Sequence, residues 1–182
     1  MRKLLVALFA MLFMVGGSTG FAAAQGTPAT PVAGQGGAGN PANPQIGDTV
    51  TYFGTNGTSI GSLKVTKITR GWDSYQQYED PKAGDEYVAV YLTVTNTASR
   101  GTLEIQAYNF ALQDTQGFEI STAYAQGRDS LKTKPLTDTL EIPAGKSVNT
   151  LLVFEVYQDQ PLQALYWMPD GYLINLADLS KS

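Results

Sequence analysis

The chain has 182 residues, with 12 Lys and Arg against 16 Asp and Glu, and it contains neither histidine nor cysteine. The missing imidazoles and thiols exclude Ser-His-Asp triads, Cys-His dyads, disulfides, and metal or haem sites ligated by those side chains. The net charge of −4, without a basic patch or basic helix, argues against nucleic acid or an anionic membrane as a partner.

The first 24 residues have the organisation of an export signal. Two basic residues form a positive n-region, residues 4–15 are an apolar stretch too short to span a bilayer comfortably, and Ala22-x-Ala24 supplies a cleavage site. Removal of residues 1–24 leaves 10 basic against 16 acidic side chains, a net charge of −6. We therefore predict a secreted protein without membrane attachment after cleavage; the alternative is an uncleaved N-terminal anchor.

Residues 25–44 carry no charged and no aromatic side chain, and nine of these twenty are Gly or Pro. Such a segment has too little apolar surface to offset the entropy of ordering, which predicts a disordered spacer. Gly34, Gly36 and Gly39 match GxGxxG formally, but they lie in Pro-rich sequence rather than between a strand and a helix, so they do not indicate a dinucleotide site. The folded domain is predicted over residues 45–182.

Beyond residue 45 the apolar side chains repeat with a period of two, which is typical of strands. The candidates in chain order are DTVTYF, SLKVTKI, EYVAVYLTVTN, YNFALQD, NTLLVFEVY, ALYWM and YLINL. In the third of these, Val88, Val90, Leu92 and Val94 share one face. The stretch LQDTQGFEI predicts a hairpin whose tip is Thr115-Gln116-Gly117. About eight short strands separated by turn signals predict an all-β fold, an antiparallel β-sandwich.

Four stretches in a fixed order carry a family resemblance: IGDTV, YEDPKAGDEYVAVYLTVTN, FALQDTQGFEI and IPAGKSVNTLLVFEV. Together they resemble a family of bacterial secreted or surface-anchored domains known only as a domain of unknown function, which is similar to the secreted immunogenic antigen of mycobacteria. The resemblance covers most of residues 45–169 and implies an immunoglobulin-like sandwich, for which the strand candidates predict about seven to nine strands. It carries no catalytic residue. Many family members begin with a lipidated cysteine, which this chain lacks, and the difference favours release over tethering.

A cluster of carboxylates surrounds the loop before the third strand candidate: Asp73, Glu79, Asp80, Asp85 and Glu86. A glycosidase needs two carboxyls that straddle a sugar, and Glu79 or Asp85 would serve in that hypothesis. The interleaved Gln, Lys and Gly residues are instead typical of a solvated loop. Calcium binding at this loop or around Asp114 is a further alternative, but no DxDxDG-type loop is present. We therefore predict a protein that is not an enzyme and has no metal and no cofactor.

Aromatic residues are the best candidates for a binding site. Trp72, Tyr75 and Tyr78 recur every three residues, and Trp167 and Tyr172 flank a Pro-Asp-Gly turn. Exposed rings of this kind stack on sugars or anchor a protein partner, whereas large rings are usually buried, and Trp72 could instead plug the sandwich. The sequence thus predicts a non-enzymatic domain that presents its surface to an unknown extracellular protein, with a carbohydrate-binding module as the alternative.

Overall fold

The computed structural model describes residues 39–77 and 79–181, which form ten strands and two 3₁₀ turns, at Ala107–Asn109 and Pro169–Gly171. The strands are β1 (Thr49–Phe53), β2 (Ser59–Thr69), β3 (Asp85–Asn96), β4 (Thr102–Gln106), β5 (Phe110–Asp114), β6 (Glu119–Ser121), β7 (Thr139–Pro143), β8 (Ser147–Tyr157), β9 (Leu162–Trp167) and β10 (Ile174–Asp178). In this part of the chain, no helix is long and apolar enough to cross a membrane. The predicted signal (1–24) and most of the predicted spacer lie outside the described residues.

Two four-stranded antiparallel sheets build the sandwich, with strand orders β1-β2-β3-β8 and β10-β9-β5-β6. A third, two-stranded sheet pairs β4 with β7 and contributes Leu103, Ile105 and Ile142 to the same core. The predicted all-β, immunoglobulin-like sandwich is confirmed. It has ten described strands rather than seven to nine, because the sequence patterns did not indicate the β4–β7 pair.

The period-two pattern of β3 places its valines and leucine in the core between the sheets. Val88, Val90, Leu92 and Val94 are each no more than 1% exposed. Burying a side chain of this size contributes about 1.5–3 kcal/mol relative to leaving it in water. One face of β3 therefore anchors the fold, as its alternation predicts.

The opposite face of β3 is also covered, which the alternation did not predict. Tyr87 and Ala89 are buried in a second apolar cluster with Leu151 and Val153 of the neighbouring strand β8. Two connections supply the cover, the β2–β3 loop and the long β6–β7 segment, and the cluster members from them are Trp72, Tyr75, Ala123, Ala125 and Leu131. The central strands thus have apolar neighbours on both faces.

The long β6–β7 segment also closes the outer edge of β8. The Ala123 backbone N–H donates to the Val153 carbonyl at 2.7 Å, and the Leu136 N–H donates to the Leu151 carbonyl at 2.8 Å. Bridges from this segment reach both ends of that stretch, at Thr122–Phe154 and Pro135–Leu151. The carbonyls of Leu151 and Val153 on this sheet edge are therefore engaged within the chain.

The first residues that the structure describes form hydrogen bonds to strands β1 and β10. The Asn40 side-chain amide donates to the Thr51 carbonyl at 2.7 Å and accepts the Thr51 N–H at 2.8 Å, on the outer edge of β1. The Asn43 amide donates to the Asp178 carboxylate at 3.1 Å. The backbone and side chain of Ser180, together with Asn43, lower the pKa of Asp178 to about 2. Asn40 and Asn43, which belong to the predicted spacer, thus contact the sandwich.

Two marks of the family resemblance have structural roles. Gly84 has φ of 93°, a left-handed conformation that suits glycine, in the turn where the Asp85 N–H donates to the Lys82 carbonyl. Asn96, at the end of β3, is 1% exposed; its amide donates to the Ile142 carbonyl at 2.8 Å and accepts the Ala98 N–H at 3.0 Å. The asparagine therefore fixes the end of β3 to β7 rather than only tolerating a turn.

Candidate functional site

The predicted aromatic loop is part of the second apolar cluster. Trp72 is 5% exposed, its backbone N–H donates to the Tyr87 carbonyl at 2.9 Å, and its ring centroid lies 6.0 Å from that of Tyr75 and 6.4 Å from that of Tyr87. Tyr75 is half-buried, and Tyr78 lies outside the described residues. In this structure the Trp72 ring covers the outer face of β3 and offers no surface for a sugar to stack on.

The carboxylates of that loop engage donors within the fold. Glu79 accepts the Gln126 N–H at 2.5 Å, and Asp80 accepts the Tyr75 hydroxyl at 3.0 Å. This hydrogen bond, followed by partial burial, raises the pKa of Tyr75. Glu86 pairs with the Arg70 guanidinium at 2.5 Å. These contacts of Glu79, Asp80 and Glu86 fix the loop, whereas Asp85 of the same predicted cluster lines a groove at the end of the sandwich.

Trp167 and Tyr172 come together around Tyr52 of β1. Trp167 is 2% exposed and meets Tyr52 edge to face at 5.3 Å, while the Tyr172 ring lies 6.4 Å from Tyr52. The Tyr52 hydroxyl donates to Asp170 at 2.8 Å, and burial, then this hydrogen bond, raises the pKa of Tyr52 to about 12. A cavity of about 270 Å³ adjoins these residues. Because Trp167 is buried, the cluster is a core element with only Tyr172 and Asp170 near the surface.

A larger groove of about 670 Å³ opens at the end of the sandwich where β5 turns into β6 and β8 turns into β9. Thr122, directly after β6, forms a bridge with Phe154 of β8, and the groove lies on the turn side of that bridge. The residues that line it are Asp85, Asp114, Thr115, Gln116, Phe118, Ile120, Glu155, Val156, Tyr157, Gln158, Asp159, Gln160 and Pro161. No sequence motif indicated this site.

Asp114 holds the two turns of the groove together. One carboxylate oxygen accepts the N–H groups of Gln116 and Phe118, both at 2.9 Å, and the other accepts the Gln160 side-chain amide at 2.9 Å. Burial of Asp114 opposes ionisation, but the hydrogen bonds from Phe118, Gln160 and Gln116 outweigh it and lower the pKa of Asp114. Arg70 extends the network by donating to the Gln160 carbonyl at 2.8 Å. The groove is therefore built on a rigid frame.

Two aromatic rings stand exposed at the groove. Phe118 is 65% exposed and Tyr157 is 71% exposed, although both side chains are large and apolar. Phe118 follows the hairpin tip, where Gly117 has φ of 90°, and Tyr157 is the last residue of β8. The hairpin tip itself is where the sequence predicted it. A large ring placed directly at a turn, where neither face of a strand can bury it, is the sequence signal that would have identified these two residues.

The rim of the groove is acidic. Asp85, Glu155 and Asp159 line it in addition to the structural Asp114, and no Lys or Arg is among the lining residues. Lys82, outside the lining, reaches Glu155 with its backbone N–H at 2.8 Å and its ammonium at 3.5 Å. In the described ranges, no group of three or more acidic side chains is arranged to hold a metal ion.

The two sheets around one core define an immunoglobulin-like β-sandwich, as the resemblance implied. The chain belongs to the family described as a domain of unknown function (DUF4352), whose profile matches residues 54–170 and so includes the whole groove. No curated protein sequence matches the chain.

Two solved structures share the fold. The chain is similar to MPT63, a secreted protein of Mycobacterium tuberculosis, with 16% identity and a TM-score of 0.55 over 78% of this chain and 99% of that one. It is also similar to the yjhA protein of Bacillus subtilis, with 16% identity and a TM-score of 0.50 over 76% and 86% of the two chains. At these identities the likeness shows a common fold and nothing of a common ligand.

Proposed function

We propose that this protein is an exported, non-catalytic β-sandwich that binds another extracellular protein through the groove between the β5–β6 and β8–β9 turns. The observation that carries the proposal is the exposure of Phe118 and Tyr157 beside a concave surface. Aromatic side chains that flank a pocket are the residues that most often dominate the energy of a protein interface.

The size and rigidity of the groove support this proposal. A volume of about 670 Å³ lies within the range of sites that bury a ligand, and it accommodates a short peptide segment. The frame around Asp114 already holds both turns, so binding does not require the loops to be ordered first. Export is supported by the signal-like N-terminus and by the secreted relative with the same fold.

The carbohydrate-binding alternative rests on Trp72, Tyr75 and Tyr78 and remains a prediction. Sugar stacking needs an exposed ring face, and the Trp72 ring is buried against Tyr87. A glycan array that compares the wild type with Trp72→Ala tests it. Binding by the wild type that Trp72→Ala abolishes, in a variant shown to be folded, would favour this alternative over the groove.

Site-specific photo-crosslinking tests the groove directly. A benzophenone amino acid replaces Phe118, Tyr157 or, as a control, Tyr108, which is 70% exposed and does not line the groove. On the producing cells we expect a protein adduct from each of the two groove positions. Excess wild-type protein should suppress this adduct, whereas excess Phe118→Ser/Tyr157→Ser variant should not. No adduct, or the same adduct from position 108, would overturn the proposal.

Export is tested by N-terminal sequencing of the product from the culture medium. We expect the mature chain to begin at Gln25, after Ala24. Recovery of a cell-associated chain that retains residues 1–24 would contradict release.

A further inference from the structure

We propose that the groove binds an extended peptide segment of the partner protein that carries arginine or lysine side chains. The inference rests on the proposed function and names the chemistry of the occupant.

Two rim carboxylates are available to a ligand. Within the described part of the chain, Asp85 and Asp159 accept no hydrogen bond at their side chains and form no ion pair, although both line the groove. Asp114 differs, because both of its oxygens are engaged in holding the turns. The unengaged carboxylates lie at the rim and the engaged one lies in the frame, so a cation can bind without dismantling the site.

Glu155 is a third acceptor, held by a weak internal competitor. Its ammonium partner Lys82 lies 3.5 Å away, and the Lys82 side chain is 81% exposed. An exposed pair of this kind contributes at most about 1 kcal/mol, so a ligand cation with better geometry displaces it. In the free protein the Lys82 ammonium thus contacts the carboxylate that we propose for a ligand cation.

The rings match the same chemistry. A guanidinium or ammonium group over the face of Phe118 or Tyr157 gains a cation–π interaction, and the aliphatic stem packs on the ring edge and on Ile120. Arginine combines this stacking with paired hydrogen bonds to a carboxylate. An isolated metal ion would use only the carboxylates, and no group of three of them is arranged for it in residues 39–77 and 79–181.

The shape of the groove favours a peptide over a small amine. Its lining comes from three separate parts of the chain: the start of β3, the β5–β6 turn and the β8–β9 turn. Asp85 and Asp159 come from different parts of that lining, which also contains the buried Val156 and the exposed Tyr157. A segment with cationic residues on either side of an apolar contact engages all of these groups at once.

The probe is a short capped peptide of alternating alanine and arginine, compared with the same peptide in which citrulline replaces arginine. Binding is followed by fluorescence anisotropy, and the site is mapped by amide chemical shifts of labelled protein. We expect the arginine peptide alone to bind, with shifts concentrated in residues 114–120 and 155–161. Equal binding of the citrulline peptide would overturn the inference, since it would show that the rings bind without the charges.

Charge variants locate the interaction. We expect Asp85→Asn/Asp159→Asn to weaken binding of the arginine peptide by roughly tenfold, the sum of two exposed ion pairs. The matched control is Asp129→Asn/Asp138→Asn, which removes the same charge from exposed positions outside the groove. An equal loss in the control would mean general attraction to an acidic protein, and the inference would be wrong.

Lys82 provides a test in the opposite direction. Lys82→Ala removes the ammonium from one oxygen of Glu155 and keeps the backbone N–H on the other, so we expect binding to tighten by roughly two- to threefold, whereas Lys146→Ala, an exposed control outside the groove, should have a smaller effect. Tightening that is equal in both variants counts against the site.

If the arginine peptide fails to bind while the photo-crosslinked adduct persists, the inference is wrong and the proposed function stands. Loss of the adduct itself contradicts the proposed function.

Discussion

The β2–β3 loop and the turns of the groove have similar compositions and opposite arrangements. Both combine aromatic rings, carboxylates and glutamines, yet Trp72 is 5% exposed, whereas Phe118 and Tyr157 are 65% and 71% exposed. Glu79 in the loop accepts a backbone N–H, whereas the carboxylate of Asp85 at the groove accepts no described hydrogen bond. Amino-acid composition alone therefore does not distinguish a loop that covers a sheet face from turns that form a binding surface.

What separates the two regions is the surface that lies beneath them. The loop lies against the outer face of β3, where Tyr87 and Ala89 need apolar cover, so its tryptophan packs inward. The groove turns lie at the end of the sandwich, where Phe118 and Tyr157 are exposed. A ring at that place remains in water until a partner covers it.

The largest effect expected from this difference concerns Trp72. Trp72→Ala should lower the free energy of unfolding by about 3–5 kcal/mol, because it empties the second cluster. Trp72→Phe should cost less, since it keeps much of the packing and removes an indole N–H that has no partner in the described chain. Urea denaturation measures both variants. A change below 1 kcal/mol, on the scale of a surface position, for Trp72→Ala would show that the ring is not a packing element.

A second comparison, within the groove, separates Asp114, which holds the two turns together, from Asp85 at the rim. Asp114→Ala should cost about 1–3 kcal/mol of stability, because the N–H groups of Gln116 and Phe118 lose their acceptor. Asp85→Ala should change the free energy of unfolding by no more than about 0.5 kcal/mol. Equal losses in denaturation midpoint would refute the division between frame and rim.

The lowered pKa values predict the response of the fold to acid. A carboxyl whose pKa is lower when folded stabilises the fold above its unfolded pKa of about 3.9, and the contribution is lost as the pH falls through the folded pKa. For Asp178 the folded pKa is about 2, and that of Asp114 is lowered as well. Stability should therefore fall between about pH 4 and pH 2, and less steeply in Asp178→Asn. Denaturation at several pH values checks this, and an unchanged slope in the variant would contradict it.

The smallest effect is expected at the exposed rings. Phe118→Ser and Tyr157→Ser should each change the free energy of unfolding by no more than about 0.5 kcal/mol, since neither ring is buried in the fold. As competitors, these variants should nevertheless suppress the photo-crosslinked adduct less than the wild-type protein does. A strong loss of stability would assign the rings to the fold, as for Trp72.

The sandwich could be predicted from the sequence because alternation is a local signal. Val88 to Val94 alternate with polar or small residues, and the Asp-Thr-Gln-Gly stretch marks the hairpin without reference to the rest of the chain. The cover on the other face of β3 could not be predicted in this way. It depends on Ala125 and Leu131, which follow Trp72 by more than fifty residues and meet it only in the folded protein.

The groove was missed for the same reason. Asp85 and Asp159 are far apart in the sequence, and nothing local shows that they line one groove with Phe118. The role of Asp114 could not be predicted either, because one of the groups that donate to its carboxylate is the side-chain amide of Gln160, forty-six positions later. Tyr157 offered the best available signal, a large ring immediately before a run of turn residues.

The Asn40 side chain has a consequence for how molecules of this protein behave when crowded. A strand at the edge of a sheet is a template on which a strand from another copy can grow into a fibre. On β1 the N–H and carbonyl of Thr51 are already engaged by one carboxamide, so an arriving strand must break two hydrogen bonds before it can pair with Thr51. The side chain of a single asparagine thus opposes strand addition at Thr51 on this edge.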